Sequence, residues 1–209
     1  MIPPVLQDLV DMARCHPDVL KRHGKGKTVK ASMKALEDAF EDRLRDALTM
    51  AGLSVRQLGH KAPGKREPDG IAVCPNDKSF ALMYDGKVSK KGYRFSAKDD
   101  RALVEYIKKW DSKLEKKGYD RLYLGIISCE FKGNFKAGIG KLKKRAYGTA
   151  LHSVVLIPAD ILLYIVQVKL DNPRIDRIFF GEVFEREGVL TSKHIDDVLK
   201  EQARDWEVL

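Results

Sequence analysis

The chain contains 209 residues, a length that suits one globular domain. Its 39 Lys and Arg outnumber its 30 Asp and Glu, and the net charge of +9 favours a polyanionic partner such as nucleic acid. The longest apolar stretch contains Pro158, Asp160 and Gln167, so it lacks the run of about 20 apolar residues that a membrane span needs. The chain opens without a secretory signal pattern, and its three cysteines are odd in number and far apart. We therefore expect a cytoplasmic protein with reduced thiols.

The first 30 residues predict a helix followed by a connector. Pro3 and Pro4 suit a helix start, and apolar residues at helical spacing continue to about Leu20. A basic, glycine-broken segment then runs to about Lys30. We therefore expect an N-terminal helix with a basic connector at residues 1–30 and a single domain at residues 31–209.

The rest of the chain alternates helical and strand patterns. An apolar stripe predicts a second helix, which Gly52 ends, and the stripe consists of Leu36, Phe40, Leu44 and Leu48. After a basic loop at 59–68, a hairpin is predicted from strands at 69–74 and 79–84. Ser96 predicts the start of a third helix that runs toward Gly118. The remaining predicted elements are strands at 122–129 and 151–157 around a basic helix at 135–147, and helices at 160–170 and 191–203. A strand, a helix and a strand in succession predict parallel pairing, so the fold class is α/β, or mixed α+β, with helices flanking a central mixed sheet.

The hairpin brings two carboxylates together. If its turn centres on Asp77, Asp69 lies opposite Asp85, and the Cβ atoms of such cross-strand neighbours are about 4.5–5.5 Å apart. A Mg²⁺ ion with oxygen ligands at about 2.1 Å fits between two such side chains. Lys87 follows Asp85 by two residues and therefore projects from the same face of the strand. Pro68-Asp69 followed by Asp85-Gly86-Lys87 matches the PD-(D/E)xK pattern of Mg²⁺-dependent nucleases.

These residue types suit phosphodiester hydrolysis. A divalent ion held by carboxylates activates water and draws negative charge from the transition state, while Lys87 would orient the water and offset that charge. The simpler alternative is a surface pair of Asp and Lys, because so short a pattern arises by chance in many proteins. Asp85 follows an apolar strand, where an unpaired carboxylate is costly. A metal is one partner for it, and Lys87 or a nearby Arg is another.

Five blocks in one order carry a resemblance to a known family. They are Gly52-Leu53 through Gln57-Leu58-Gly59, Pro68-Asp69-Gly70, Asp85-Gly86-Lys87, Lys91-Gly92-Tyr93, and the segment Phe-Lys-Gly-Asn-Phe-Lys-Ala at 131–137. Through these blocks, residues 31–165 resemble the cleavage domain of FokI-type type IIS restriction endonucleases, in the PD-(D/E)xK superfamily. The resemblance implies a restriction-endonuclease-like mixed sheet and a nonspecific, Mg²⁺-dependent DNA-cleaving module.

The resemblance also implies roles for single residues. Asp69 and Asp85 would hold the metal, and Lys87 would assist the attacking water. Glu41, on the helix before the hairpin, would hold a water molecule at the metal as a third catalytic carboxylate. Alternatively, Glu41 is an ordinary residue beside the apolar stripe, and Glu37, one turn earlier, is a poorer candidate for the catalytic role.

Three positions depart from the family pattern. Gly86 stands where the family usually has Ser or Thr. The family dimerises through a helix that carries an Asp and an Arg one turn apart, and here Arg101 and Glu105 take those places with the signs exchanged. Arg101 of one copy could pair with Glu105 of another across a twofold axis, or the two could pair within one helix.

The basic clusters and the length of the chain suggest its partners. We expect contacts to the phosphates of double-stranded DNA, without sequence preference, from Lys65, Arg66, Lys132, Asn134, Lys136 and Lys141. Only about 30 residues precede the resemblance, too few for the family's target-recognition region. We therefore expect a stand-alone cleavage subunit that a larger recognition subunit recruits in a type IIS-like restriction system, acting as a homodimer or heterodimer of cleavage domains. Alternatives are a noncatalytic DNA-binding subunit of the same fold, and a transposition or junction-resolving nuclease.

Overall fold

A computed structural model describes residues 2–26, 28–59, 66–75, 78–175 and 177–207. After a 3₁₀ turn at Pro4–Leu6, the helices are α1 (Leu9–Ala13), α2 (Pro17–His23), α3 (Val29–Met50), α4 (Ala97–Glu115), α5 (Phe135–Arg145), α6 (Ala159–Asp171), α7 (Arg177–Glu185) and α8 (Ser192–Glu207). The strands are β1 (Ser54–Gln57), β2 (Gly70–Val73), β3 (Ala81–Lys87), β4 (Leu122–Ser128), β5 (Leu151–Pro158) and β6 (Gly188–Val189).

The strands form one mixed sheet in the order β1 to β6. The pairs β1–β2 and β2–β3 are antiparallel, whereas β3, β4, β5 and β6 run parallel. Helices α3 and α6 pack on one face, where Phe40 belongs to the same buried cluster as Leu82. Helices α4 and α5 cover the other face, where Ile107 and Leu142 share a second cluster with Met83. The predicted α/β class with a helix-flanked mixed sheet is confirmed.

The hairpin has the predicted register. Gly70 pairs with Tyr84 and Ile71 with Met83, so one further step places Asp69 opposite Asp85. The turn residues 76–77 lie outside the described residues. Strand β3 then continues through Lys87 and pairs in parallel with β4, which makes it a central strand of the sheet.

The third predicted helix has the predicted start. The Ser96 Oγ accepts a hydrogen bond from the backbone N–H of Asp99 at 3.1 Å and caps α4. Such a cap satisfies one of the backbone donors that a helix start leaves unpaired. Gly118 follows the helix with a φ of +82°, in the left-handed region that glycine enters without strain. In the described part of the chain, no helix has the length and apolar character needed to cross a membrane.

The N-terminal segment differs from the single helix predicted to reach Leu20. The helix breaks between α1 and α2, because Cys15 has a φ of +51° and His16 is extended before Pro17. The residue before a proline is disfavoured in the α region, and proline suits the first position of the next helix. Helix α2 continues through His23, and α3 begins at Val29, so the basic connector is shorter than predicted.

Three elements were not predicted. Strand β1 is short and polar at the sheet edge, so it lacks the apolar alternation of a half-buried strand. Strand β6 has only two residues, too few for any sequence period. Helix α7 lies between α6 and β6 and packs against β5 and α8.

Candidate active site

The carboxyl end of β3 forms the floor of an open cleft of about 270 Å³. Asp85 and Lys87 lie on β3 at alternate positions, so they project from the face that α4 covers. The four side chains expected to be catalytic all line this cleft, and they are Glu41, Asp69, Asp85 and Lys87. The structure thus brings together residues that are as much as 46 positions apart in the chain (41 to 87).

Asp69 is a buried carboxylate among like charges. Asp69 is the residue just before β2. Its Oδ2 atom accepts a hydrogen bond of 2.6 Å from the backbone N–H of Gly86. Burial, and then the charges of Asp85 and Glu41, raise the pKa of Asp69 well above its ordinary value, although the Gly86 hydrogen bond and Lys87 oppose them. Burial and the two neighbouring carboxylates therefore disfavour the charged form of Asp69 more than Gly86 and Lys87 favour it.

Asp85 and Lys87 form an ion pair on one face of β3. The Nζ atom of Lys87 lies 2.5 Å from Oδ2 of Asp85, whose side chain is only 6% exposed. Burial lowers the pKa of the Lys87 ammonium, but the charge and hydrogen bond of Asp85 outweigh burial and raise this pKa above its ordinary value. Lys87 therefore stays cationic at neutral pH.

Glu41 reaches the cleft because α3 packs closely against the hairpin. A Cβ atom on Gly59 would lie 2.1 Å from Oε2 of Glu41, so the Glu41 carboxyl lies directly against the backbone there. A Cβ atom on Gly86 would lie 2.6 Å from Cδ1 of Leu44 and 3.0 Å from Cε1 of Phe40. The glycine at 86 thus leaves space for the apolar stripe of α3. Glu37, one turn earlier, also lines the cleft.

Two further residues of the cleft were not predicted. The Glu67 carboxylate accepts a hydrogen bond of 2.7 Å from Nε1 of Trp110 and pairs with the Lys109 ammonium. The Glu67 side chain is only 8% exposed. Because Lys109 and Trp110 both belong to α4, these contacts hold the segment that leads into Asp69 against that helix. Tyr106 of α4 forms another wall of the cleft. The spacing of Tyr106, Lys109 and Trp110 places them on one side of α4, but nothing in the local sequence indicates that Lys109 and Trp110 contact Glu67, about 40 residues earlier.

Of the residues expected to contact DNA, those that the structure describes lie outside this cleft, and their role stays a prediction. Lys132 pairs with Glu130 at 2.8 Å, and the Oδ1 atom of Asn134 caps α5. Lys136 is exposed, and Lys141 lines a separate groove with Asn134 between α4 and α5. Arg66 forms an ion pair on the surface of α4, and Lys65 lies outside the described residues.

The two residues expected at a dimer contact do not pair with each other. The Glu105 carboxylate instead accepts hydrogen bonds of 2.9 and 3.1 Å from Nη1 of Arg66. Arg101 is exposed one turn earlier on α4. Arg101 and Glu105 therefore do not pair within α4, and Glu105 pairs with Arg66 instead. A contact of Arg101 with Glu105 of a second copy stays a prediction.

The cleft fits a cation that keeps part of its water shell. In the part of the chain that the structure describes, no group of three or more His, Cys, Asp or Glu side chains meets the geometry of a complete metal site. Mg²⁺ is usually bound by one or two carboxylates together with waters and substrate phosphates. Asp69 and Asp85 can supply those two carboxylates. Burial, and then the neighbouring carboxylates, raise the pKa of Asp69, so a cation bound at this position would stabilise its charged form. The donor set therefore suits Mg²⁺ better than a metal that needs a closed protein cage.

Comparisons with known proteins identify the family and the fold. The chain matches the family described as "FokI, cleavage domain" over residues 6–189. It is similar to the structure of restriction endonuclease FokI, with a TM-score of 0.66, 16% identity, and coverage of 88% of this chain and 30% of that one. It is also similar to the structure of restriction endonuclease FokI bound to DNA, with a TM-score of 0.66, 15% identity, and coverage of 91% and 31%.

At these identities the structural likeness shows a common fold, and the chain spans about 30% of the length of those structures. A search of curated proteins finds no match. The family match is broader than the five sequence blocks, since it extends from the 3₁₀ turn at Pro4–Leu6 to β6. Because the match covers most of its length, this chain belongs to the FokI cleavage-domain family.

Proposed function

We propose that this protein is a Mg²⁺-dependent DNA endonuclease subunit that hydrolyses phosphodiester bonds without sequence specificity of its own. The observation that carries the proposal is the meeting of Asp69, Asp85, Lys87 and Glu41 in one cleft at the end of β3. Family membership supports a DNA-cleaving activity, and the related FokI structure bound to DNA supports DNA as the substrate.

Each residue has a chemical role in this proposal. Asp69 and Asp85 hold the divalent cation, which when bound stabilises negative charge on the phosphate and makes water more acidic. Lys87 remains protonated beside Asp85, donates a hydrogen bond to the attacking water and offsets the charge that develops during attack. Glu41, on the α3 side of the cleft, accepts a hydrogen bond from the same water and orients it.

The supporting residues hold this arrangement. The N–H of Gly86 fixes the orientation of the Asp69 carboxylate. Glu67, held by Lys109 and Trp110, fixes the chain just before Asp69. Preorganised groups of this kind reduce the reorganisation needed when the reaction occurs.

Target selection and assembly complete the proposal. We propose that a larger recognition subunit of a type IIS-like restriction system directs cleavage, since nonspecific phosphate contacts carry no sequence information. The basic residues Lys132, Lys136 and Lys141 are proposed to hold the backbone of double-stranded DNA. Pairing of cleavage domains along α4 also stays a prediction, in competition with the Arg66–Glu105 pair.

Nicking of supercoiled plasmid by the purified protein, with Mg²⁺ and its recognition partner, tests the catalytic role. Asp85→Ala and Lys87→Ala are each expected to lower the rate by about 100-fold or more, as expected when an electrostatic group at a reaction centre is lost. Lys193→Ala is the matched control, because Lys193 is exposed on α8 and is not among the residues that line the cleft. Wild-type nicking rates in both variants would overturn the proposal and favour a noncatalytic DNA-binding subunit. A strong preference for branched over linear duplex would instead favour a junction-resolving nuclease.

A further inference from the structure

Among the described residues, Tyr106 is the one residue of α4 that lines the catalytic cleft. Helix α4 covers the face of β3 from which Asp85 and Lys87 project, whereas Glu37 and Glu41 reach the same cleft from α3 on the other face of the sheet. The Tyr106 side chain therefore forms the wall of the cleft that lies away from α3.

The cleft offers few hydrogen-bond donors to an anion. Among the described residues that line it, the only side chains with an N–H or O–H donor besides any protonated carboxyl are Lys87 and Tyr106. The Lys87 ammonium already pairs with Asp85, and the backbone N–H of Gly86 already donates to Asp69. No hydrogen bond between described residues uses the Tyr106 hydroxyl. That hydroxyl is therefore available to a ligand.

The Tyr106 hydroxyl is a donor held in position before a ligand arrives. Burial, and then the charge of Asp85, raise its pKa, so the phenol stays protonated at neutral pH. One turn later, Lys109 and Trp110 bind Glu67, which anchors this part of α4 to the segment that leads into Asp69. A donor fixed in this way needs little reorganisation when the reaction occurs.

A phosphate in the cleft would need such a donor. Five of the described residues that line the cleft carry carboxylates, and they are Glu37, Glu41, Glu67, Asp69 and Asp85. Lys87 is the one cationic side chain among the described lining residues, so a phosphate group meets an excess of carboxylates until a divalent cation is bound. A hydroxyl that donates to an ionised phosphate oxygen makes a charge-assisted hydrogen bond, which is roughly twice as strong as one between neutral groups.

We propose that the Tyr106 hydroxyl donates a hydrogen bond to a nonbridging oxygen of the scissile phosphate and stabilises the negative charge that grows there as water attacks. Tyr106 is then a further catalytic residue, on the wall of the cleft opposite Glu41. This inference rests on the proposed function, since it assumes that the cleft holds the scissile phosphate.

Single-turnover cleavage of duplex DNA by Tyr106→Phe, with Mg²⁺ and the recognition partner, tests this role. The substitution removes the hydroxyl and keeps the ring, and it should lower the cleavage rate at saturating protein by at least about 10-fold, because a donor aimed at developing charge is lost. The rise in Tm that Mg²⁺ causes should match that of the wild type, since Tyr106 does not hold the cation. Tyr147→Phe is the matched control, because Tyr147 is 92% exposed and does not line the cleft.

Sulfur substitution tests whether the hydroxyl contacts the phosphate. The cleaved strand carries phosphorothioates that are all of the Rp or all of the Sp configuration, and the oxygen and sulfur duplexes are all cleaved with Mn²⁺, which accepts sulfur ligands more readily than Mg²⁺ does. Sulfur is a weak hydrogen-bond acceptor. In one configuration the loss of rate caused by Tyr106→Phe should therefore largely disappear, and in the other it should equal the loss seen with the oxygen duplex.

Two results would overturn the inference. One is a cleavage rate of Tyr106→Phe equal to that of Tyr147→Phe. The other is an equal loss of rate with the oxygen, Rp and Sp duplexes, which would show that the hydroxyl acts without contact to a nonbridging oxygen. Failure of the proposed function is observed separately, as plasmid nicking that survives Asp85→Ala, so the two failures can be distinguished.

Discussion

Replacement of Gly86 by alanine tests how closely α3 must approach the active strand. The new Cβ atom would lie 2.6 Å from Cδ1 of Leu44 and 3.0 Å from Cε1 of Phe40. Ordinary carbon contacts are about 3.5–4.0 Å, so the shorter of these overlaps by roughly 1 Å. Leu44 and Phe40 are both buried, which leaves them little freedom to move. The added methyl group must therefore displace α3 or strain its side chains.

The expected cost follows from this overlap. Overpacking of a buried site costs about 1–3 kcal/mol, and replacing a strand glycine by alanine returns about 0.5–1 kcal/mol. We therefore expect Gly86→Ala to lower the free energy of unfolding by about 1–2 kcal/mol, or Tm by roughly 2–8 °C for a chain of this size. Cleavage should fall as well, because Gly86 donates a hydrogen bond to Asp69 and α3 carries Glu41.

A double-mutant cycle in urea measures this effect. Leu44→Ala removes the atom nearest the new methyl group, so the two substitutions together should destabilise the protein by at least about 0.5 kcal/mol less than the sum of their separate effects. Gly140→Ala on α5 is the matched control, because an added Cβ there would meet nothing within 4 Å. That control should raise stability by up to about 1 kcal/mol through helix propensity. A Gly86→Ala protein as stable as wild type, or strict additivity with Leu44→Ala, would refute the packing argument.

Three further predictions concern the charges of the cleft. Asp69→Asn should raise the Tm of the protein in EDTA by a few degrees, because it removes a buried carboxylate that lies among other carboxylates, and cleavage should be lost. A fall in that Tm would contradict the conclusion that the charged form of Asp69 is disfavoured in the cleft. Mg²⁺ should raise the Tm of the wild type but not that of Asp69→Asn, measured by thermal shift, and equal shifts would place the cation elsewhere. Trp110→Phe should cost about 1–3 kcal/mol in urea unfolding and lower the cleavage rate, since Glu67 loses the hydrogen bond that positions the chain before Asp69; an unchanged rate would show that Glu67 has no positioning role.

Much of the catalytic geometry was predictable because it depends on local rules. The observed register of β2 with β3 is the one that the predicted hairpin gives, and the side-chain period of two then places Asp85 and Lys87 on one face. The cap at Ser96 likewise predicts the start of α4 from three neighbouring residues.

The unpredicted features depend on contacts between distant parts of the chain. The hydrogen bond between Glu67 and Trp110 joins residues 43 positions apart, and neither residue carries a local sign of the other. The ion pair of Arg66 with Glu105 joins residues 39 positions apart. It competes with the pairing of Glu105 with Arg101 that the resemblance suggests. In contrast, the break before Pro17 was visible in the sequence, but the apolar periodicity of the first 20 residues masked it.

The position of the divalent cation tests the account most directly. Crystals of the protein soaked in Mn²⁺ should show an anomalous scattering peak in contact with the carboxylates of Asp69 and Asp85, and crystals of Asp85→Ala should lack it. A peak bound by other side chains in an enzyme that cuts DNA, or a wild-type peak that survives Asp85→Ala, would contradict the account.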